Sequence, residues 1–301
     1  MVEAREFLIE SLSRRMTPPQ SAWLQRTAEQ VRTSRDEPAQ AFATLISLAS
    51  RHVPRGAWAP NADERAQAGR IQIGFEPERW SLLDAARAVL VLSRSDLDTP
   101  GVVAALEECF RYADVGELVS LYRTLALLPG QERFAWRAGE GCRTSMGSVF
   151  EAVACDSALP VRVFDDRAWR QMVIKALFVE APLWRVFGLD TRLDAELARM
   201  ALDLADERRS AGRPVRHELW LCLGRHGGER GLAALEREIS QASPLSRRAA
   251  GIALARAGAT ENLARHLSAE RDPTVRATLE RALAGRVDAA AFRDLNPTTT
   301  G

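Results

Sequence analysis

The chain has 301 residues, 46% of them hydrophobic and 27% charged, and its 41 basic and 40 acidic side chains leave a formal charge of +1. That is enough for one large domain or two modest ones, with a core that needs no disulfides or structural metal, and it excludes a wholly disordered chain. The charge balance also sets aside a dedicated binder of nucleic acid or anionic membrane, which would carry a basic excess or stripe. Cys109, Cys142, Cys155 and Cys222 form no CxxC and lie near no histidine, so neither a zinc site nor a disulfide framework is expected. The longest apolar run, residues 88–92, is far short of a membrane span. The opening MVEAREFLIESLSRR mixes both charges and has no long apolar stretch before a small-residue cleavage site, so a cytoplasmic location is expected.

Apolar residues recur with helical period along the chain, and no segment alternates as a strand does. Residues 53–79, rich in turn formers, read as a long loop. Residues 81–94 and 114–128 read as helices, the second opened by an Asp114/Glu117 capping box. Pro129 ends that helix and starts another that runs to about Gly139. Segments 147–155, 166–180, 195–211 and 216–226 continue the series, with Asp165 and Asp194 as N-caps and Gly212 beyond a helix end.

The last third repeats internally. WLCLGRHGGERGLAALE (220–236) aligns with GIALARAGATENLARHL (251–267) at an offset of 31, and SPLSRRAAGIALARAG (243–258) is echoed by DPTVRATLERALAG (272–285). Helix pairs at this period resemble HEAT-like repeats, which bury their apolar faces by stacking. The fold class is therefore all-α, a helical bundle or α-solenoid with HEAT-like C-terminal repeats. The expected organisation is a helical domain over 1–215, repeats over 216–286 and a frayed tail over 287–301.

Lys175 is the sole lysine, so forty of the basic residues are arginines, and a lysine that persists in such a chain points to a role arginine does not fill. It sits in QMVIKALFV (171–179), apolar on nearly every face, and so in a helix expected to be surrounded by others. Two readings stand side by side: a snorkelling or ion-paired lysine, or a cation lining a cavity that grips an anion or serves as an activated amine.

In GEGCRTSMGSVFEAVACD (139–156), Glu140, Arg143 and Thr144 precede a helix whose Glu151 lies among Gly147, Ser148, Ala154 and Cys155, which leaves room for a packed helix or a ligand. Arg143 and the helix start are suited to an anion, and equally to an ion pair between helices. In the helix over 195–211 Asp203, Asp206 and Glu207 share a face, but Arg199 and Arg209 flank them, which favours a solvated ion-pair face over a magnesium site. Glu207 and Arg208 fall at the apolar stripe and are expected to point inward. FDDRAW (164–169) lacks the fifth-position acid of an aspartate-rich metal motif, and no phosphate-loop, dinucleotide, nucleophile-elbow or HExxH motif occurs. His52, His217, His226 and His266 are scattered, although His217 beside Glu218 has the surroundings of a cavity residue.

Residues 80 to 225 resemble the EboA family. The resemblance is carried in order by the arginine helix around Ala86-Arg87, ELVSLYRTLALLP, EGCRTSMGSVFEAVA, AWRQMVIKALF, GLDTRLDAELA and ERRSAGRPVRHELW. It extends residue by residue to Glu140, Arg143, Thr144, Phe150, Glu151, Trp169, Gln171, Met172, Lys175, Asp190, Arg192, Glu207, Arg208 and Arg213. The chain departs at Ser145, at Ser157-Ala158-Leu159-Pro160, at Arg170 and at Asp194, where the family tends to read amides or an Asn-Pro-Tyr-Pro turn. The resemblance implies bacterial secondary metabolism. Such proteins are encoded beside a prenyltransferase-like membrane protein, a dehydroquinate-synthase-like cyclase, a sugar-phosphate-isomerase-like protein and a metal-dependent hydrolase.

Three functions are compatible with these residues. The first is binding of an anionic or polar biosynthetic intermediate in an interior pocket lined by Glu140, Arg143, Thr144, Trp169, Gln171, Asp190, Arg192, Glu207, Arg208 and Arg213. The second is catalysis in that pocket, with Lys175 and Glu151 as the working pair. An isoprenoid diphosphate cyclase or lyase is the example, its carbocation steadied by Trp136, Trp169 and Phe178. The third is a scaffold whose repeats dock other biosynthetic proteins. No cofactor is expected, and magnesium enters only under the diphosphate reading; neither nucleic acid nor a membrane span is expected.

Overall fold

The computed structural model describes residues 2–34, 38–241 and 243–295. Among them are sixteen α-helices and no strand ladder, only a lone antiparallel bridge between Ala57 and Ser81, so the protein is all-α. The chain divides into two compact units, Met1–Ala168 and Trp169–Gly301. No helix among the described residues is long and apolar enough to cross a membrane.

The first unit holds α1 (Val2–Ser13), α2 (Pro18–Thr33), α3 (Ala39–His52), α4 (Ala62–Ile71), α5 (Leu82–Leu92), α6 (Pro100–Tyr112), α7 (Val115–Leu125), α8 (Ala135–Arg143), α9 (Gly147–Ala154) and α10 (Leu159–Val163). Its axis is α5. The sequence LLDAARAVLVL is apolar around nearly its whole circumference, and every residue of it is buried, against α1, α2, α3 and α7. Ser81 starts the helix by accepting from the Asp84 amide while the Asp84 carboxylate accepts from the Ser81 amide. The Asp114/Glu117 box opens α7 in the same way. In α8, a Cβ on Gly141 would lie 2.6 Å from Val153 and 2.8 Å from Tyr122, so the close approach there requires glycine.

The segment 53–79, read as a loop, contains α4. This helix has almost no apolar stripe to announce it; it is held instead by one carboxylate. Glu64 closes a capping box with Asn61, is only 3% exposed, and accepts from Ser11 Oγ at 2.5 Å and from Arg15 Nη1 and Nη2 at 2.8 and 2.6 Å. Trp58 Nε1 donates to the same Ser11 hydroxyl at 2.8 Å. The indole ring packs with Phe7 at a centroid distance of 5.7 Å, and Phe75 with Trp80 at 5.2 Å, so the carboxylate lies beside an aromatic cluster.

The second unit comprises α11 (Asp166–Phe178), which begins at the division, α12 (Ala195–Ser210), α13 (Gly228–Ile239), α14 (Pro244–Arg256), α15 (Thr260–Ala269) and α16 (Pro273–Leu283). Asp165 accepts from the Ala168 amide, Asp194 from the Leu197 amide, and Gly212 takes the left-handed conformation after α12, with φ +64. The expected helix over 216–226 is a 3-10 stretch, His217–Cys222, bounded by Pro214 and by Gly224 in the left-handed region. The paired openings Ser243-Pro244 and Asp272-Pro273 do cap α14 and α16. These two helices meet closely: a Cβ on Gly251 would lie 2.0 Å from Leu279 Cδ2. The tail expected to fray is ordered through a further 3-10 stretch, Ala289–Leu295, because Phe292 and Leu295 are buried; residues 296–301 lie outside the described residues.

Helix α11 corrects a further expectation. It buries one stripe, Trp169, Met172, Val173, Ala176 and Leu177, while Phe178 is 55% exposed and Gln171 is also exposed. Among the described residues, the helix buried along its whole length is α5.

Arg15 donors, with smaller contributions from Ser11 and the Asn61 amide, lower the pKa of Glu64 from 4.5 to about 2 against the opposing cost of burial. Its pKa is lowered on folding, so the stabilisation is complete above 4.5 and is lost as pH falls from there toward about 2. Denaturant unfolding of the Glu64→Gln protein at neutral pH is expected to show a loss of about 3 kcal/mol and to lose that part of the acid sensitivity.

Candidate functional site

Three helices of the first unit start around one cleft of about 320 Å³. Ser81 caps α5, Asp114 caps α7, and Ser148 stands in the first turn of α9, whose N-cap Met146 offers no side-chain bond. Helix starts bring amide donors and the positive end of the helix dipole to this wall. Leu83, Val115 and Val119 supply apolar surface, and Arg55 stands at the exposed rim.

Arg87 forms the back of the cleft. It projects from α5 and is only 3% exposed. Its Nε donates to the Ile46 carbonyl at 3.2 Å, Nη1 to Ser120 Oγ at 3.2 Å and Nη2 to Glu117 Oε1 at 3.5 Å. These contacts are long and employ three of the five N–H groups a guanidinium carries. Burial lowers the Arg87 pKa, opposed by Glu117, Asp114 and Asp84, and the group stays cationic. The neighbouring carboxylate is more tightly held: Asp84 accepts from Ser120 Oγ at 2.6 Å, from Arg123 Nη1 at 2.7 Å and from the Ser81 amide at 2.8 Å. The cleft therefore presents a buried cation with donors to spare beside an acid whose oxygens are occupied.

Arg87 was visible in the sequence only as part of the family resemblance. The criterion applied to Lys175, a cation inside an apolar helix, selects it equally well.

Within their own units, the residues expected at an interior pocket take the following places. Arg143 pairs with Glu140 on α8, but the Arg143 side chain is 70% exposed, so this is a surface pair. Thr144 Oγ1 accepts from the Met146 amide and shapes the turn into α9. Glu151 is half-buried and lines a narrow cleft of about 10 Å³, room for roughly one water, together with Arg123 and Trp80.

In the second unit, Trp169 is buried with the Arg192 guanidinium 4.8 Å from its ring centroid, a cation–π contact. Asp190 accepts from Arg256 Nη2 at 2.5 Å and from the Ala289 amide at 3.1 Å, tying a turn to α14 and the closing segment. Lys175 is half-buried on α11, and Gln171 is exposed.

Glu207 and Arg213 are exposed, not interior. Arg208, half-buried, turns back to donate to the Pro214 carbonyl at 2.7 Å, which closes the end of α12. The α12 acids form the surface ion-pair face: Arg199 bonds Asp203, and Arg230 bridges Asp203 and Asp206, each at 2.7 Å. Glu218 is fully buried and accepts from the Leu183 amide and from Arg216. Of the histidines, His266 does have an acidic partner, Glu236 at 2.7 Å. Burial pushes the Cys109 and Cys222 thiols up to about 12, which makes them unreactive at neutral pH.

Two departures from the family pattern answer each other. Arg170 and Asp194 bond through both guanidinium Nε and Nη2, the shortest contact 2.7 Å, while Asp194 also caps α12. Burial of Ser157 beside α10, where its hydroxyl accepts from the Leu159 amide, likewise makes that departure a local cap.

Arg87→Lys is expected to lower the unfolding free energy by about 2–3 kcal/mol in denaturant titration, since one ammonium does not reach Ile46, Ser120 and Glu117 together. An unchanged midpoint would show that these contacts do not hold α5 to α3 and α7.

The sequence model of the EboA family, described as "Metabolite traffic protein EboA", matches residues 4–224. The match begins well before residue 80 and so includes α1, α4 and Glu64, and it ends just ahead of α13. No curated protein and no solved structure matches the chain. With nearly three quarters of its length matched, from α1 to the glycines before α13, this chain belongs to the EboA family, and its role is metabolite-related.

Proposed function

We propose that this protein binds an anionic or polar intermediate of a bacterial secondary-metabolite pathway, and that the cleft at Arg87 receives it. The observation that carries the reading is the guanidinium itself, buried to 3% exposure yet held only by contacts of 3.2–3.5 Å and facing a cleft ringed by three helix starts. Uncommitted donors in a low-dielectric wall favour a ligand that brings negative charge or carbonyl oxygens, and the apolar residues beside them cover its carbon skeleton. The volume of about 320 Å³ suits a small metabolite. A carrier needs this much and no reacting group.

Lys175 and Glu151, the expected catalytic pair, remain proposals that rest on the place of the sole lysine in an apolar helix segment and on the resemblance. A docking role for the second unit is the other reading, favoured by Phe178, which lies 55% exposed on the same face of α11 as Lys175.

Ser148 is exposed at the cleft mouth, so Ser148→Trp fills the cleft without touching the core. Native mass spectrometry of protein purified from a producing strain is expected to show a small anionic adduct on the unaltered protein and at least about tenfold less on the variant. Equal adduct on both would remove the Arg87 cleft as the binding site.

A further inference from the structure

The second unit carries a separate concentration of cations outside the family-matched residues. A cleft of about 280 Å³ lies between α14, α16 and the closing segment Ala289–Leu295, and Arg248, Arg281 and Arg286 all line it. Several other arginines of this unit are neutralised by carboxylates: Arg247 by Glu270 at 2.9 Å, Arg276 by Glu280 at 3.2 Å, Arg230 by two aspartates at 2.7 Å.

The three at the cleft are held differently. Arg248 Nε donates to Thr278 Oγ1 at 2.9 Å and its Nη2 to the Asp294 carbonyl at 3.1 Å, and Arg281 Nε donates to the Ala277 carbonyl at 3.2 Å. All these acceptors are neutral, and among the described residues none of the three arginines forms an ion pair with a carboxylate. The Arg248 pKa is lowered by burial and next by Arg281, which places two like charges near one another. Asp294 and Asp272 offset this in part, but like charges gathered with no carboxylate paired directly to them are the arrangement an anionic ligand relieves.

The acids at the cleft are Asp288 and Asp294. Asp288 Oδ1 is engaged by the Ala291 amide at 3.0 Å, and Asp294 lies 3.9 Å from Arg293. Their remaining oxygens are acceptors for ligand hydroxyls. Ile252, Ala290 and Leu295 complete the wall with apolar surface.

We infer that this cleft is a binding site for a small hydroxylated phosphate ester, its phosphate held by Arg248, Arg281 and Arg286 and its hydroxyls by Asp288 and Asp294. Guanidinium forks match phosphate oxygens in pairs, and the three cations outnumber the two acids. The site is independent of the Arg87 cleft and lies on helices that the family match does not reach.

Isothermal titration of the full chain with β-glycerophosphate tests it. Saturable binding is expected, displaced by inorganic phosphate and weakened about tenfold by either Arg281→Ala or Arg286→Ala. Both side chains are exposed, so these variants keep the fold. Arg276→Ala, which removes a cation already paired with Glu280 on the same helix, is expected to bind as the unaltered protein does, and so is Ser148→Trp. Absence of saturable binding at about 10 mM ligand overturns the assignment. So does an equal loss in Arg276→Ala, which would mean diffuse attraction, or a loss in Ser148→Trp, which would move the ligand to the first unit.

Discussion

One buried charge organises the first unit. Enclosing a guanidinium in an otherwise apolar helix is costly unless its donors and its charge are answered, and α5 places Arg87 in the midst of its buried length. The answer comes from three directions at once: the main chain of α3 through Ile46, and the side chains of Ser120 and Glu117 on α7. Asp84, one turn earlier on α5, repeats the arrangement with Ser120 and Arg123. Ser120 is the hinge of both, donating to the acid and accepting from the arginine. The polar network thus fixes the register of α5 against α7, which apolar packing alone specifies poorly. The same register brings the starts of α5, α7 and α9 around one cleft, so the constraint that orders the core also leaves donors facing solvent.

The second unit shows the other use of arginine. In a chain with a single lysine, most surface ion pairs are made by guanidinium groups, and they bridge elements far apart in sequence: Arg170 to Asp194, Arg247 to Glu270, Arg256 to Asp190. Such pairs add modest stability individually, and their geometry sets how turns seat on helices. Arg248 and Arg281 differ from these pairs in that they find only neutral oxygens and line one cleft together.

How much of this was readable beforehand depended on whether the signal was local. The helices of 81–94 and 114–128 were legible because the apolar period and the Asp114/Glu117 box lie within one segment, and Asp165 and Asp194 marked their helices for the same reason. Helix α4 was missed although its Asn61/Glu64 capping box is equally local, because almost no apolar stripe follows the box and its other partners, Ser11 and Arg15, lie about fifty residues upstream. Residues 216–226 misled because five consecutive buried apolar residues, Leu219 to Leu223, mimic a helical core segment while glycine and proline prevent an α-helix. The family was legible from motif order. The candidate site was legible only in part: Glu207 was assigned inward by helical projection, yet at the edge of the stripe a small rotation decides between core and solvent, and it lies exposed. The Arg87 cleft draws on residues from 55 to 148, and no spacing rule connects them.

A double-mutant cycle between Arg87 and Glu117 gives the sharpest reading of whether this buried cation truly organises the first unit. With Arg87→Met, Glu117→Gln and their combination compared by denaturant unfolding, the account requires a coupling free energy of at least about 1 kcal/mol, since each partner left alone is a buried charge without its counter-charge. Strict additivity, with the double variant losing the sum of the two single losses, would show that the pair is incidental to the packing of α5 on α7 and would contradict it.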